Sequence, residues 1–281
     1  MPDFNDKRIA RPQAMGRLCQ VIDGVVALRE APHHSARLAT QALMGETLFV
    51  LCEEAGFHLC QLQRDRYVGW VWLSGISGAV TVPTHKITAL STFLFPAPDL
   101  KTPPRATLSL GARLAVTGER DGVWVECQPS GWVHERHLAP IDALETDPAG
   151  LAERFLDVPY LWGGRTSHGL DCSGLIQQAF EACGVILPRD SDMQAAWAGE
   201  PVEDWQAPGA LKRGDLVCWD GHVGILTAPD MLLHANAYHL QVEREPLAGA
   251  IARIRAVAGE VIGVRRVSLP PGGPPAWLTA P

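Results

Sequence analysis

A cysteine and two histidines in the second half of the sequence have the types and order needed for nucleophilic chemistry. Cys172 follows a loop of glycines and polar residues and precedes an apolar run with helical spacing, which places its thiol at a predicted helix start. Unpaired amides and the positive dipole end at such a position favour a thiolate and can stabilise a developing oxyanion. On its own this is weak evidence, because most cysteines are small buried hydrophobic residues.

The two histidines follow in neighbouring strand-like segments. His222 opens the segment that ends at Thr227, and His234 lies in the next segment along the chain. Neighbouring antiparallel strands would place His234 behind His222, where a hydrogen bond can orient the His222 ring. A lone histidine is usually a surface or core residue, but the three residues together predict Cys172 as nucleophile, His222 as base and His234 as the residue that orients the base.

The elements that must position these residues form a predicted α+β domain over residues 143–267. One helix begins after Asp147, with Pro148 at its first position, and a second begins at Cys172 and stops at Gly184. Strand-like runs follow, and helices ahead of an antiparallel sheet are typical of an α+β domain. The predicted strands cover 215–219, 222–227, 231–235, 241–242 and 261–267.

An internal repeat organises the residues that precede this domain. The pattern Gly-x-x-Leu-x-Val begins at Gly45 and again at Gly111, and each copy is followed by a Glu-x-x-Gly turn. A Gly-Trp-Val strand then closes each copy, at Gly69 and, in the segment Ser130-Gly-Trp-Val, at Gly131. The repeat predicts two small β barrels of five or six strands.

The whole chain is therefore predicted to be multidomain, with two small all-β modules ahead of the α+β domain. The predicted boundaries are 1–20 for an N-terminal extension, 21–83 and 84–142 for the β modules, 143–267 for the α+β domain, and 268–281 for a C-terminal tail that lies loosely on the surface.

Composition excludes several classes of function. The net charge of −7 argues against nucleic acid and against electrostatic adhesion to membranes or anionic polymers. The seven cysteines form no Cys-x-x-Cys pair, which indicates free thiols in a reducing compartment. No secretory signal is evident in the given chain, so a cytoplasmic location is expected. We predict no metal, no cofactor and no obligate protein partner.

The motifs around the three candidate residues resemble those of a known family. Asp171-Cys-Ser-Gly, Gly221-His-Val-Gly-Ile and Leu233-His-Ala are similar to the three motifs of NlpC-type murein cysteine peptidases. The resemblance implies a papain-like core in which the cysteine attacks and the histidine acts as base. The first β module resembles a bacterial SH3-like domain through Ala27-Leu-Arg-Glu-Ala-Pro and Gly69-Trp-Val, whereas the second copy is degenerate.

A further motif, Arg189-Asp-Ser, resembles a signature of the γ-D-glutamyl-L-diamino-acid endopeptidases of cell-wall peptide recycling. That resemblance implies a free murein peptide, L-Ala-γ-D-Glu-diamino acid, as the substrate and release of L-Ala-γ-D-Glu. It implies that four polar residues hold the free amine of L-alanine, that two aromatic residues line the site, and that an aromatic residue of the first SH3-like domain closes it. The residues so implied are Asp171, Ser173, Asp190 and Ser191 for the amine, Tyr160 and Trp162 for the lining, and Tyr67 or Trp70 for the closure.

Three alternatives stay open at this point. The protein could be a secreted wall hydrolase anchored by its SH3-like domains, or a non-enzymatic wall-binding protein. The same thioester chemistry also serves acyl transfer, because the access of water or of an amine decides the product. The sequence specifies neither the diamino acid nor the oligomeric state.

Overall fold

The computed structural model describes residues 6–10, 16–128, 131–270 and 272–279. The chain forms two compact units whose boundary lies between Ala143 and Leu144. The predicted fold class, β modules followed by an α+β domain, is confirmed. Among the described residues, no helix has both the length and the apolar character to cross a membrane. Ser130, in the second copy of the repeat, lies outside the described residues.

Seven short strands form the first module of the β unit. They are β1 (Arg17–Val21), β2 (Val25–Arg29), β3 (Leu38–Leu43), β4 (Thr47–Glu54), β5 (Phe57–Leu62), β6 (Val68–Trp72) and β7 (Ile76–Ser77). They pair antiparallel in the order β3-β2-β6-β5-β4-β1-β7. Alternate side chains point inward, as the pleat requires, so Leu28, Leu48, Leu62 and Val71 are fully buried.

The second module repeats this plan with its sheet divided in two. Its strands are β8 (His85–Ile87), β9 (Ser91–Leu94), β10 (Ala106–Ser109), β11 (Arg113–Asp121), β12 (Trp124–Gln128), β13 (Gly131–His134) and β14 (Leu138–Pro140). Strands β9 and β10 pair with each other, and the others form the sheet β13-β12-β11-β8-β14. In both modules one turn of 3-10 helix follows the tryptophan strand, at Leu73–Gly75 and at Glu135–His137.

The core of the second module includes residues of the first. Leu43 and Met44 pack with Leu108, Leu114 and Val133 in one buried apolar cluster. The backbone joins the two modules at the same place, because the amide of Arg113 donates to the carbonyl of Met44 at 2.8 Å. The repeat therefore folds as one compact unit with a continuous core.

The α+β unit carries the remaining elements around one central sheet. Its helices are α1 (Pro148–Glu153), α2 (Cys172–Ala182), α3 (Ser191–Trp197), α4 (Leu247–Ala258) and α5 (Ala276–Thr279). Its strands are β15 (Arg165–Thr166), β16 (Gly169–Leu170), β17 (Glu200–Pro201), β18 (Leu216–Trp219), β19 (His222–Ala228), β20 (Met231–Asn236), β21 (Gln241–Pro246) and β22 (Gly263–Arg266). The central sheet has the order β17-β22-β18-β19-β20-β21, and β15 and β16 form a separate two-stranded sheet.

Helix α2 is the central helix of this unit and packs against β19 and β20. Its first nine residues are all buried, polar ones included. Gly174 lets the preceding loop approach closely, because a Cβ there would lie 2.3 Å from the carbonyl oxygen of Gly164. The helix ends where Gly184 adopts a positive φ of 81°, as the sequence predicts.

The structure departs from the predictions at two helices and in the tail. Helices α3 and α4 were not predicted, although α4 buries Leu247, Ala250 and Ile254 at helical spacing. The prediction of a loose tail is wrong at α5, because Trp277 there is 1% exposed and stacks on Trp197 with ring centroids 6.3 Å apart. A buried indole removes a large apolar surface from water, which outweighs the cost of ordering a short segment.

Candidate active site

Cys172 is the first residue of α2 and is almost fully buried. Asp171 precedes it as the N-cap, and its carboxylate accepts a hydrogen bond from the Gly174 amide at 2.8 Å. The backbone amides of Val223 and Ser173 both favour the ionised form of the Cys172 thiol. Val223 follows His222 directly, so packing of α2 on β19 brings the predicted nucleophile to the strand that carries the predicted base.

The predicted base and its orienting residue are joined by a short hydrogen bond. His222 Nε2 and His234 Nδ1 are 2.7 Å apart, and the two rings meet at an interplanar angle of 62°. Gly224 makes this approach possible, because a Cβ at that position would lie 3.1 Å from the Cβ of His234 and 2.7 Å from the side chain of Leu232. The glycine of the Gly-His-Val-Gly-Ile motif thus keeps β19 and β20 close at the site.

Two charged residues that the sequence analysis did not single out extend this series of hydrogen bonds. His234 Nε2 lies 2.8 Å from Glu245 Oε1, and the same carboxylate oxygen accepts a hydrogen bond from Arg253 Nη2. Glu245 lies on β21, next to the strand of His234, and Arg253 lies on α4. The available signal was the two-residue alternation of β21, which places Glu243 and Glu245 on the same face of the strand.

Burial is the largest influence on the pKa values of Cys172 and His222. Burial, followed by the charge of Asp171, raises the pKa of Cys172 to about 12. Burial, followed by His234, lowers the pKa of His222 to about 3. Both shifts favour the neutral forms of the thiol and the imidazole. The amides of Val223 and Ser173 lower the pKa of Cys172 by less than desolvation raises it, so the packing of the free protein opposes the thiolate. A stabilised thiolate at Cys172 stays a prediction.

A buried arginine organises the loop in front of the nucleophile. Arg189 is 1% exposed and donates to both oxygens of Asp171, at 2.9 and 2.8 Å, and to Ser173 Oγ at 2.8 Å. The second carboxylate oxygen of Asp171 also accepts from the Gly163 amide at 2.8 Å. Asp171 and Ser173 thus belong to the scaffold that holds the Cys172 loop, and their contact with a substrate amine stays a prediction.

The other predicted binding residues of this unit lie around that scaffold. Asp190 is the N-cap of α3 and Ser191 its first residue, both partly exposed directly after Arg189. Tyr160 is partly buried, and burial, followed by the neighbouring Cys172, raises the pKa of its phenol well above the usual range. Trp162 is 63% exposed.

Tyr67 and Trp70 belong to the β unit. Tyr67 is buried within that unit, whereas Trp70, on β6, is partly exposed. Trp70 therefore offers more ring surface to a ligand than Tyr67 does. That one of them closes the site stays a prediction.

One group of side chains near the histidines has the types that ligate metals. Ligand atoms of His234, His239 and Glu245 all lie within 4.8 Å of one another. The guanidinium of Arg253 is bonded to the same carboxylate, and its positive charge opposes the binding of a cation there.

The sequence matches two known families. Residues 157–259 match the NlpC/P60 family, and residues 28–76 match the bacterial dipeptidyl-peptidase SH3 domain. A relative from Bacillus subtilis, named gamma-D-glutamyl-L-lysine dipeptidyl-peptidase, is 39% identical over 225 residues, which cover 70% of this chain and 72% of the relative. Dipeptidyl-peptidase 6 of Lysinibacillus sphaericus is 30% identical over 110 residues, which cover 38% of this chain and 39% of that protein.

The fold agrees with these matches. The crystal structure of an NlpC/P60 family protein from Bacillus cereus covers 89% of this chain and 99% of its own with a TM-score of 0.73, at 19% sequence identity. That likeness extends over most of the chain and shows the fold alone. Together with the relative from Bacillus subtilis, the match over 157–259 establishes that this chain belongs to the NlpC/P60 family and is a cysteine peptidase that hydrolyses murein peptides, preceded by an SH3-like β region.

Proposed function

We propose that this peptidase cleaves the bond between γ-D-glutamate and an L-diamino acid in free murein stem peptides that carry an unblocked L-alanine. The observation that carries the proposal is the position of Arg189-Asp190-Ser191, whose arginine is bonded to the residues on either side of Cys172. This arrangement places a carboxylate and a hydroxyl at the start of α3, close to the nucleophile loop. The name of the relative from Bacillus subtilis supports the same bond specificity.

The proposed reaction starts from a neutral Cys172 thiol and a neutral His222 imidazole. Cys172 Sγ attacks the γ-carbonyl carbon of D-glutamate while its proton passes to His222, which acts as a general base. The carbonyl oxygen becomes an oxyanion next to the amides at the start of α2. His222 then returns the proton to the departing amine of the diamino acid, and a thioester remains. Water, deprotonated by His222, attacks the thioester, and the acid product and the thiol are released.

Selectivity for a free amine follows from charge. The ammonium group of L-alanine would pair with Asp190 and donate to Ser191. An N-acetylated alanine has no charge and one donor, so the partly exposed Asp190 carboxylate loses a charged partner, at a cost of about 1.5–3 kcal/mol. We therefore expect at least about a tenfold loss in kcat/KM for the acetylated peptide. Glycan-linked stem peptides, in which this nitrogen is acylated, would be rejected for the same reason.

We also propose that the substrate is met in the cytoplasm during recycling of wall peptides. All seven cysteines are free thiols, and Cys52 is exposed, which suits a reducing compartment. Detection of the native protein in the soluble cytosolic fraction would support this location. Its recovery with the wall would favour the alternative of a secreted hydrolase anchored by the β region.

The test compares L-Ala-γ-D-Glu-diaminopimelate, its L-lysine counterpart, the N-acetylated form of each, and intact sacculi. We expect release of the diamino acid from the free peptides only. Cys172→Ala should abolish the release, whereas Cys52→Ser, which replaces an exposed cysteine of the β unit, should not change it. Equal cleavage of free and acetylated peptides contradicts amine recognition, and release of fragments from sacculi favours a wall hydrolase.

A further inference from the structure

We propose that Glu245 is a positioning residue that sets the proton positions on both active-site histidines and so makes His222 a base toward Cys172. The inference rests on the proposed function only for its kinetic readout, because the proton positions themselves are measured without substrate. It rests on the short contacts that run from His222 on β19 through His234 on β20 to Glu245 on β21.

These hydrogen bonds have one consistent donor-to-acceptor direction, from His222 to His234 and from His234 to Glu245. An ionised carboxylate only accepts hydrogen bonds, so at 2.8 Å from Glu245 the Nε2 atom of His234 carries a hydrogen. A neutral imidazole carries one such hydrogen, which leaves Nδ1 of His234 as an acceptor. The 2.7 Å contact between that atom and Nε2 of His222 then requires a hydrogen on His222 Nε2. Nδ1 of His222 keeps its lone pair and can take the thiol proton.

The opposite arrangement has no working base. A hydrogen on Nδ1 of His234 would point its Nε2 lone pair at the carboxylate and force His222 Nε2 to accept. The hydrogen of His222 would then sit on Nδ1, where no lone pair remains for the thiol. The Glu245 carboxylate therefore selects between two neutral states of the histidine pair that differ only in the positions of their hydrogens. It does so although both histidines stand between it and the nucleophile.

Neighbouring groups favour an ionised Glu245 and neutral rings of the two histidines. The hydrogen bond from His234 lowers the pKa of Glu245, and Arg253 acts in the same direction. Burial lowers the pKa of His234 although Glu245 acts to raise it, and the net lowering favours a neutral ring beside the carboxylate. Arg253 is itself held by Tyr238, whose ring centroid lies 4.4 Å from the guanidinium carbon. These contacts anchor Glu245 from α4 and from the loop between β20 and β21.

The direct test is nitrogen NMR of the histidine rings at neutral pH, because a nitrogen with a hydrogen and one without give well-separated signals. In the full chain we expect His222 and His234 to carry their hydrogen on Nε2. In Glu245→Ala we expect a mixture of both forms at His234 and at His222. The matched control is Glu243→Ala, which removes the other carboxylate of the same strand face but not the contact with His234. That variant should keep the wild-type pattern.

Kinetics test whether the effect passes through His234. Glu245→Ala should lower kcat by about 10- to 100-fold with little change in KM, because the carboxylate orients a base and is not proposed to touch substrate. In a His234→Ala background the same substitution should cost less than about twofold, because the link is already absent. Equal losses in both backgrounds would show that Glu245 acts independently of His234.

A conservative variant guards against a failure of Glu245→Ala to fold. The amide oxygen of Glu245→Gln can still accept from His234 and from Arg253, so we expect the hydrogen to remain on Nε2 of both histidines. The lost negative charge should move the acidic limb of the kcat profile to lower pH, because an imidazolium on His222 is then less stabilised. Wild-type proton positions in Glu245→Ala, or a random distribution in the wild type, would overturn the proposal. A failure to cleave murein peptides would leave the NMR result standing.

Discussion

At the scale of single residues, the site depends on buried polar groups that satisfy one another. Arg189, Asp171 and Ser173 form a hydrogen-bonded network beneath the nucleophile loop, and all three residues are buried. Burial of such charges is tolerated only when they are paired and hydrogen-bonded. The network therefore holds the loop in one conformation, which a short-lived attack geometry at Cys172 requires.

The depressed pKa of His222 predicts a pH dependence of stability. The unfolded chain binds a proton at His222 below about pH 6.5, whereas the folded protein does so only near pH 3. Between these values the unfolded state holds more protons, so this group lowers the free energy of unfolding by about 1.4 kcal/mol for each pH unit as the pH falls. Below pH 3 its contribution becomes constant.

Urea unfolding at pH 5, 6, 7 and 8 measures this effect. His222→Gln should flatten the dependence between pH 6.5 and 5, whereas the exposed His33→Gln should leave it unchanged. A profile of His222→Gln that parallels the wild type would show that the imidazole of His222 titrates normally in the folded protein. The same depressed pKa keeps the base neutral, so the acidic limb of kcat/KM should lie below pH 6.5.

At the scale of elements, one glycine-mediated approach and one helix start assemble the site. Gly224 brings β19 against β20, so the two imidazoles meet, and Gly174 lets the loop before Cys172 pack on α2. These contacts join elements that are distant in the sequence. A side chain at either position would separate the elements that carry the chemistry.

The short tail helix α5 predicts a large effect for one residue. Trp277→Ala should lower the free energy of unfolding of the α+β unit by about 3 kcal/mol, because it removes a buried indole that stacks on Trp197. Chemical denaturation followed by circular dichroism checks this value. Val257→Ala on the exposed face of α4 is the control and should change stability by less than about 0.5 kcal/mol. A similarly small effect of Trp277→Ala would show that the tail does not contribute to the core.

At the scale of the whole molecule, the β region behaves as one unit although its sequence is a repeat. Met44 belongs to the first module and packs in the core of the second. Met44→Ala should therefore destabilise both modules, by about 2–3 kcal/mol. Hydrogen exchange of the full chain, followed by mass spectrometry, should show faster exchange in β9 to β13 as well as in β1 to β6. Val82→Ala, at an exposed position, serves as the control. Faster exchange confined to the first module would contradict a shared core.

The sequence by itself determined the types of the elements and the identity of the reacting groups. Hydrophobic spacing and turn residues are local properties, so they predicted α2, β19 and β20 within a residue or two at each end. The repeat predicted the two β modules in the same way. The motifs around Cys172, His222 and His234 indicated the family, which the comparisons confirm. Helix α4 escaped prediction because many of its residues are alanine or glycine, which weakens the apolar pattern.

Only the tertiary structure decided which partners these groups have and which protonation states burial favours. The ion pair of Asp171 with Arg189 and the hydrogen bond between His234 and Glu245 join residues on different elements, and no local spacing specifies such pairs. Burial opposes the thiolate expected at Cys172, because the desolvation of a thiolate depends on everything packed around it. The tail was likewise misjudged, since Trp277 is buried by Trp197, a distant residue of the same unit. Local sequence sets which elements form, whereas long-range packing sets the solvation and the partners of each side chain.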